Sequence, residues 1–333
     1  MKVDVEAVEA ELARMQRELT NSEVRTSLFN LVVMSPDVQR TMVDEALNYL
    51  LGKRAARVIH IVNTSDETSD LQVSARCFVD HEHKGVCFQE VIITNGSDGA
   101  GGAPGSWIPL LVRDIPTYIL WLDTVCDKVE LFSHVQNQSD KIIVDSDQCV
   151  ALGDDPDELL KTLSRVAVEQ GVPLADFSWK RLRPFRRLAA AGFEGERAGL
   201  LDEITALRIV GMRPIAGRLF GLWFSERLGW TPAGNEGFRD VRGRAVSVER
   251  ERTDGECDVA IRIELAGGDS VEIGAGESGC ADVEYPGGTT REIVTLPSNG
   301  EILLEEVDAV YADDLYRAAL AQLTERRLSQ KSS

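Results

Sequence analysis

The sequence predicts an α/β protein: an N-terminal mixed sheet covered by helices, and a second, smaller α+β domain rich in antiparallel strands. Three observations carry this. Over the first 150 residues, apolar runs of strand composition alternate with segments of helical period, the pattern of a sheet covered on both faces. From about residue 234 the texture changes to short alternating runs between Gly-rich turns, which reads as antiparallel sheet. A chain of 333 residues, 43% of them hydrophobic, is long enough for more than one core. The expected domains are 1–195 and 196–333, the second holding a long helix at 214–229, antiparallel strands and a final helix.

The elements follow in order. Residues 4–20 place Val5, Val8, Leu12, Met15 and Leu19 on one helical face. VRTSLFNLVVMS (24–35) is strand-like and stops at Ser35-Pro36-Asp37, a helix start with proline in the first turn. That helix runs to Leu51, with Gly52 as its C-cap and Lys53 and Arg54 at its negative end. RVIHIVN (57–63) reads as a buried strand, and LQVSARCFV with VCFQEVIIT as a hairpin or sheet-edge pair. A Gly-rich run then opens PGSWIPLLVRDIPTYILWLD (104–123). Pro116 biases Ile115 away from helix, and TYILWLD reads as a buried strand. Arg113 and Asp114 are a charged pair between two apolar halves, which burial statistics favour as a turn.

A helix over 126–138, the strand KIIVDS (141–146) and a helix over 154–170 ending at Gly171 follow. PLADFSWKRLRPFRRLAAAGF (173–193) is aromatic and strongly basic; EGERAGLLDE behind it reads as a connection. ITALRIVGM (204–212) is a strand. Pro214 opens a helix whose apolar face holds Ile215, Leu219, Leu222, Trp223 and Phe224, and Gly229 closes it. A single last helix is expected across EEVDAVYADDLYRAALAQLTERRL (305–328).

A net charge of −19 sets the chain against nucleic-acid and anionic-membrane partners, since both would repel it. No apolar run reaches spanning length, and the acidic amphipathic start is no signal peptide. Six cysteines without CxxC spacing suit a reducing cytoplasm. The Gly-rich loop 96–105 fails the dinucleotide fingerprint, because Pro104 stands where GxGxxG from Gly99 needs glycine, and no GK[ST] follows. Cys77, His81, His83 and Cys87 form C-x3-H-x-H-x3-C across the hairpin turn. Pairing centred on position 82 sets Cys77 opposite Cys87, which is open to three readings: a Cys2His2 zinc site, a disulfide, or buried thiols with exposed imidazoles. No GxSxG elbow or Cys-His arrangement occurs. His60 and His134 lie inside a strand and a helix, and the pairs Asp154-Asp155 and Asp313-Asp314 look like helix-start charges. The residues present no active site and imply no cofactor. The basic residues Arg54, Arg57, Arg113, Lys180, Arg181, Arg183, Arg186 and Arg187 are the groups suited to an acidic partner or a sugar phosphate.

Taken together, ARVIHI (56–61), WIPLLVRDIPTYILWLD (107–123), KIIVDS (141–146) and DFSWKRLRPFRRLAA (176–190) resemble the OpcA family, the glucose-6-phosphate dehydrogenase assembly proteins. The four blocks stand in the family's order; Phe185 replaces the more usual Trp of the last. The resemblance implies a non-catalytic partner of glucose-6-phosphate dehydrogenase that promotes its active oligomer or activates it allosterically, at the head of the oxidative pentose phosphate pathway. Trp107, Arg113, Asp114, Trp121, Asp123, Trp179, Arg181 and Arg186 are the expected contact residues, being of the types found at interface hot spots or charged within those blocks. The alternative for the three tryptophans is burial in the core. Thioredoxin control is attributed in cyanobacterial members to cysteines near the C-terminus, whereas this chain has none after Cys280. The competing reading is a regulatory protein or enzyme that binds a sugar phosphate or nucleotide at loop 96–105.

Overall fold

The structure, a computed structural model, describes residues 4–20, 27–65, 69–79, 85–97, 102–233, 237–251, 259–275, 279–309 and 311–331. The chain divides into two compact units. One comprises Met1–Gly153, Val172–Ala175 and Ser298–Ala312; the other comprises Asp154–Gly171, Asp176–Pro297 and Asp313–Ser333. Each holds one multi-stranded mixed sheet with its own helices, as the fold class expected.

The first sheet has seven strands: β1 (Phe29–Pro36), β2 (Ala56–Asn63), β3 (Asp70–Val79), β4 (Gly85–Asn95), β5 (Thr117–Trp121), β6 (Lys141–Val144) and β7 (Leu174–Asp176). Their spatial order is β3-β4-β2-β1-β5-β6-β7. β1 pairs parallel with both β2 and β5, β4 parallel with β2, and β6 parallel with β5. β3 runs antiparallel to β4 on the edge, as the hairpin expectation required. Without β3 the order reads 3-2-1-4-5-6 in chain succession, the doubly wound arrangement whose winding reverses at β1. Seven of the eight residues in β1 and β2, and every residue of β5 and β6, are buried, which explains their near-continuous apolar sequences.

Helices Arg40–Leu50 and Val129–Gln136 cover this sheet, the second shorter at both ends than its sequence expectation. Gly52 adopts φ 82° just past the first of them, as its C-cap reading required. A late segment returns to complete the unit. Ser298 and Glu301 form a capping box on helix Asn299–Asp308, which packs against Arg40–Leu50. Gly300 meets the Tyr49 side chain so closely that no Cβ fits there. The returning segment is pinned by Lys141, 1% exposed, whose ammonium pairs with the Glu306 carboxylate and donates to the carbonyls of Glu306 and Ala309 at 3.0 Å each. Arg54 grips Asp308 through two hydrogen bonds of 2.6 and 2.7 Å.

The single last helix is therefore corrected to two, Asn299–Asp308 and Asp314–Lys331, one in each unit. Ala309 is extended, and Asp313 accepts the Tyr316 amide at 3.0 Å, so a side-chain cap starts a new helix where apolar periodicity alone ran through. The expected helix over 154–170 is α-helical at Pro156–Ser164, capped by Asp155, and passes into a π-turn at Arg165–Glu169.

The second sheet has eight strands: β8 (Ile204–Val210), β9 (Thr231–Ala233), β10 (Gly237–Arg239), β11 (Ala245–Glu251), β12 (Val259–Leu265), β13 (Ser270–Ala275), β14 (Cys280–Tyr285) and β15 (Gly288–Ile293). Their order is β15-β14-β13-β12-β8-β11-β10-β9. The sheet is antiparallel apart from β8 with β11, which run parallel because helix Pro214–Leu228 intervenes as a crossover. Helix Arg183–Gly192 lies on β13 and β14, where a Cβ at Gly192 would stand 2.6 Å from Val271 Cγ1. Among the described residues no helix is long and apolar enough to cross a membrane.

Replacing Lys141 by Met should destabilise the protein by about 3–5 kcal/mol, because the Glu306 carboxylate would stay buried without its counter-charge. The double change Lys141→Met with Glu306→Leu should recover most of that loss in equilibrium urea unfolding. A single mutant as stable as the parent would show that the ion pair does not hold the segment.

Candidate functional site

A doubly wound sheet binds its ligands outside the carboxyl ends of its strands, where the winding reverses. In the first unit that edge is formed by the ends of β1, β2, β4 and β5. After β1 the chain runs Ser35-Pro36-Asp37 into a 3-10 turn, Asp37–Gln39. A phosphate cradle needs backbone N–H groups and close approach at this turn. Pro36 has no N–H, and Asp37 puts a carboxylate in the first turn, where it repels a phosphate.

The neighbouring strand ends are laced together by side chains. The Gly102 amide donates to Asn95 Oδ1 at 2.7 Å, and Asn95 Nδ2 donates to Asn63 Oδ1 at 2.7 Å. Asn63 Nδ2 then donates to Asp123 Oδ2 at 2.6 Å. The other Asp123 oxygen accepts the Thr124 amide at 2.7 Å, and the Lys128 ammonium pairs with the same carboxylate. Asp123 is 5% exposed, so its charge is held by these donors rather than by water. Trp121 sends its indole N–H to the Asp123 carbonyl at 2.9 Å beneath them. A Cβ at position 102 would come within 2.7 Å of Asn95 Nδ2, so a larger residue there would displace that amide from the network.

Ser35 and His60 touch at 2.9 Å between β1 and β2. At 0% and 1% exposure the pair is out of any substrate's reach, which supports the structural reading of this histidine. Burial, with smaller contributions from the charges of Arg40 and Arg76, pushes the imidazole pKa down to about 4. Asp155 caps helix Pro156–Ser164 and Asp313 accepts the first-turn amide of Tyr316, in keeping with the helix-start reading of the acid pairs.

The candidate residues divide between the units. In the first, Trp107 and Trp121 are core residues with 0% exposure, so neither offers a surface. Arg113 and Asp114 are exposed at a turn that is built in place. Asn30 clamps the preceding residue, accepting the Val112 amide and donating to its carbonyl, both at 2.9 Å. Asp114 takes φ 64°, the one positive φ outside glycine among the described residues. Arg57 anchors the same stretch from behind: its guanidinium donates to the Leu110 carbonyl at 3.0 Å, Glu9 at 2.6 Å and Gln89 at 2.8 Å. Arg57 is 2% exposed, so it serves this network and not an acidic partner.

In the second unit Trp179 is likewise core, with its indole N–H on Asp313 Oδ2 at 3.0 Å and its ring 5.3 Å from that of Tyr316. Tyr316 donates to Asp176 Oδ2 at 2.9 Å, and Lys180 stands 3.5 Å from Asp313. The Arg186 guanidinium lies 3.7 Å from the Trp179 ring centroid. Burial pushes its pKa down to about 10, partly opposed by Asp313. Arg181 is half-buried and sits 5.6 Å from the Phe177 ring.

Register sets Cys77 opposite Cys87 in the β3–β4 hairpin, as expected. His81 and His83 of the zinc reading, and residues 98–101 of the Gly-rich loop, lie outside the described residues. Asn30, Asn63 and Asn95, which hold the turn and the strand-end network, gave no sign of it in the sequence beyond being polar residues at the margins of apolar strand runs.

The fold and this edge define a doubly wound α/β protein carrying a second, largely antiparallel sheet unit. A 3-ketoreductase from Actinomadura kijaniata, solved with NADP and TDP-benzene, has the same overall fold at 10% identity (TM-score 0.50, covering 90% of this chain and 95% of that one). Two family profiles match: the glucose-6-phosphate dehydrogenase subunit N-terminal domain over residues 48–165, and the C-terminal domain of that subunit over 172–320. The chain belongs to the OpcA family. It is 26% identical over 206 residues to the putative OxPP cycle protein OpcA of a Synechocystis species, covering 60% of this chain and 42% of that protein. The corresponding protein of Nostoc punctiforme is 31% identical over 177 residues, covering 51% and 37%. The matched region thus spans less than half the length of these relatives.

The His60 geometry makes a pH prediction. Its folded pKa lies below the unfolded value of 6.5, so the unfolded chain binds a proton first. The contribution is complete above pH 6.5 and is lost as pH falls towards about 4, amounting to on the order of 3 kcal/mol. His60→Gln, which keeps a partner for Ser35, should flatten that part of the unfolding free energy between pH 7 and 4. An unchanged pH profile would contradict the assignment.

Proposed function

We propose that the chain is a non-catalytic, cytoplasmic partner of glucose-6-phosphate dehydrogenase. It binds the enzyme's active state more tightly than the inactive one, and so favours the active oligomer and raises flux into the oxidative pentose phosphate pathway. Differential affinity is all that such activation requires. The observation that carries the reading is that both halves of the chain match domains described as parts of a glucose-6-phosphate dehydrogenase subunit. The strand-end edge supports the non-catalytic side of it. Proline and aspartate stand at the phosphate turn, and Asn63 and Asp123 bond to each other across the edge.

The proposed contact includes the exposed Arg113–Asp114 turn in the first unit and the half-buried Arg181 in the second. Trp107, Trp121 and Trp179 contribute by holding those segments in place from the core. A rigid, pre-shaped charged turn loses little entropy on docking, which suits a recognition element.

Activity and oligomer mass of the cognate dehydrogenase, with and without this chain, test the reading. A rise in activity with a co-migrating complex is expected. Arg113→Ala and Arg181→Ala should weaken the half-maximal activating concentration about fivefold or more while leaving urea unfolding unchanged. No complex and no activity change with the parent chain would overturn the proposal.

A further inference from the structure

The second unit contains a cleft that none of the partner contacts above uses. β8 and β11 run parallel inside an otherwise antiparallel sheet, joined through helix Pro214–Leu228 and then the short strands β9 and β10. The cleft lies at the carboxyl ends of β8 and β11, where the chain turns through Gly211 into the helix. It has a volume of about 230 Å³, and its lining includes Ile209, Met212, Arg213, Pro214, Arg218 and Arg250 together with the carboxylate residue Glu251. In open α/β units ligands bind outside the carboxyl ends of parallel strands, so the position is one the topology singles out.

The lining has a distinct chemistry. Ile209 and Met212 are buried apolar residues, whereas three guanidinium groups come from the loop, the helix and β11. In a chain of net charge −19, the three arginines outnumber the two carboxylates beside them, Glu251 in the lining and Asp157 on Arg218, so the cleft keeps a local excess of positive charge. Arg250 pairs in register with Ile209, and its stem passes over the helix at Gly217, where an added Cβ would lie 3.5 Å from Arg250 Cδ. Arg218 is held by its ion pair with Asp157. Arg213 is exposed at the mouth. Planar guanidinium groups match the paired oxygens of phosphate, and the apolar floor suits the carbon face of a small attached group.

We propose that this cleft binds a phosphate monoester of about hexose size. The volume is below the roughly 300–1,000 Å³ of pockets for drug-sized ligands, which fits a small phosphorylated metabolite better than a dinucleotide. The inference concerns the isolated chain and does not depend on the dehydrogenase reading.

Calorimetric titration of the full chain at low ionic strength tests it, with glucose 6-phosphate, inorganic phosphate and glucose as probes. Saturable one-to-one binding of glucose 6-phosphate, weaker binding of phosphate and none of glucose are expected. Arg213→Ala and Arg250→Gln should each raise the dissociation constant at least tenfold, and Arg187→Ala, on a distant helix, should not. Arg213 is exposed, so its replacement keeps the test valid even where the Arg250 variant fails to fold. Absence of saturable binding by glucose 6-phosphate, or an unchanged constant in Arg213→Ala, would overturn the proposal.

Discussion

The Asp123 carboxylate is the group on which the closure of the first unit's strand-end edge depends. Parallel strands end with their loops around a crevice, and in a dinucleotide-binding domain a ligand fills it. Here one buried carboxylate accepts from Asn63 and the Thr124 amide and pairs with Lys128, while Asn63 passes the connection on to Asn95 and Gly102. Buried polar groups need partners, and these supply one another. The doubly wound topology is retained while its ligand edge is stitched by its own side chains.

The same logic explains how distant chain segments complete each unit. Residues 298–312 return to the first sheet through a buried Lys141–Glu306 pair and the Arg54–Asp308 fork. The segment beyond them joins the second unit, with Asp313 serving Trp179 and the first turn of the last helix together. At the first joint the anchoring pair Lys141–Glu306 is buried, whereas the Arg54–Asp308 fork beside it is exposed and Asp313 at the second joint is partly exposed. Solvated surface charges would carry little of this load, because exposed pairs contribute at most about 1 kcal/mol.

Much of this was legible in the sequence. The buried parallel strands declared themselves as unbroken apolar runs such as FNLVVMS and RVIHIVN, and the β3–β4 hairpin by its alternation, down to the pairing of Cys77 with Cys87. The Arg113–Asp114 turn followed from Pro116 and the charge break. What escaped was long-range. Apolar period cannot distinguish one helix from two when the break is a cap formed by Asp313, and Lys141 gives no local sign of a partner 165 residues away. The parallel pairing of β8 with β11 was hidden because both strands read as ordinary half-buried alternations. The sequence left the three tryptophans open between contact residues and core, and their burial matches the core alternative.

These features fit a doubly wound fold whose strand-end edge is closed against a dinucleotide by its own side chains. The most direct test of that account is equilibrium dialysis of the full chain against NADP and NAD. The strand-end network and the Pro36–Asp37 turn predict no saturable binding of either at concentrations up to about 1 mM, on the scale of ordinary cofactor affinities. Saturable binding in the micromolar range, abolished by a bulky substitution at Gly102, would contradict it.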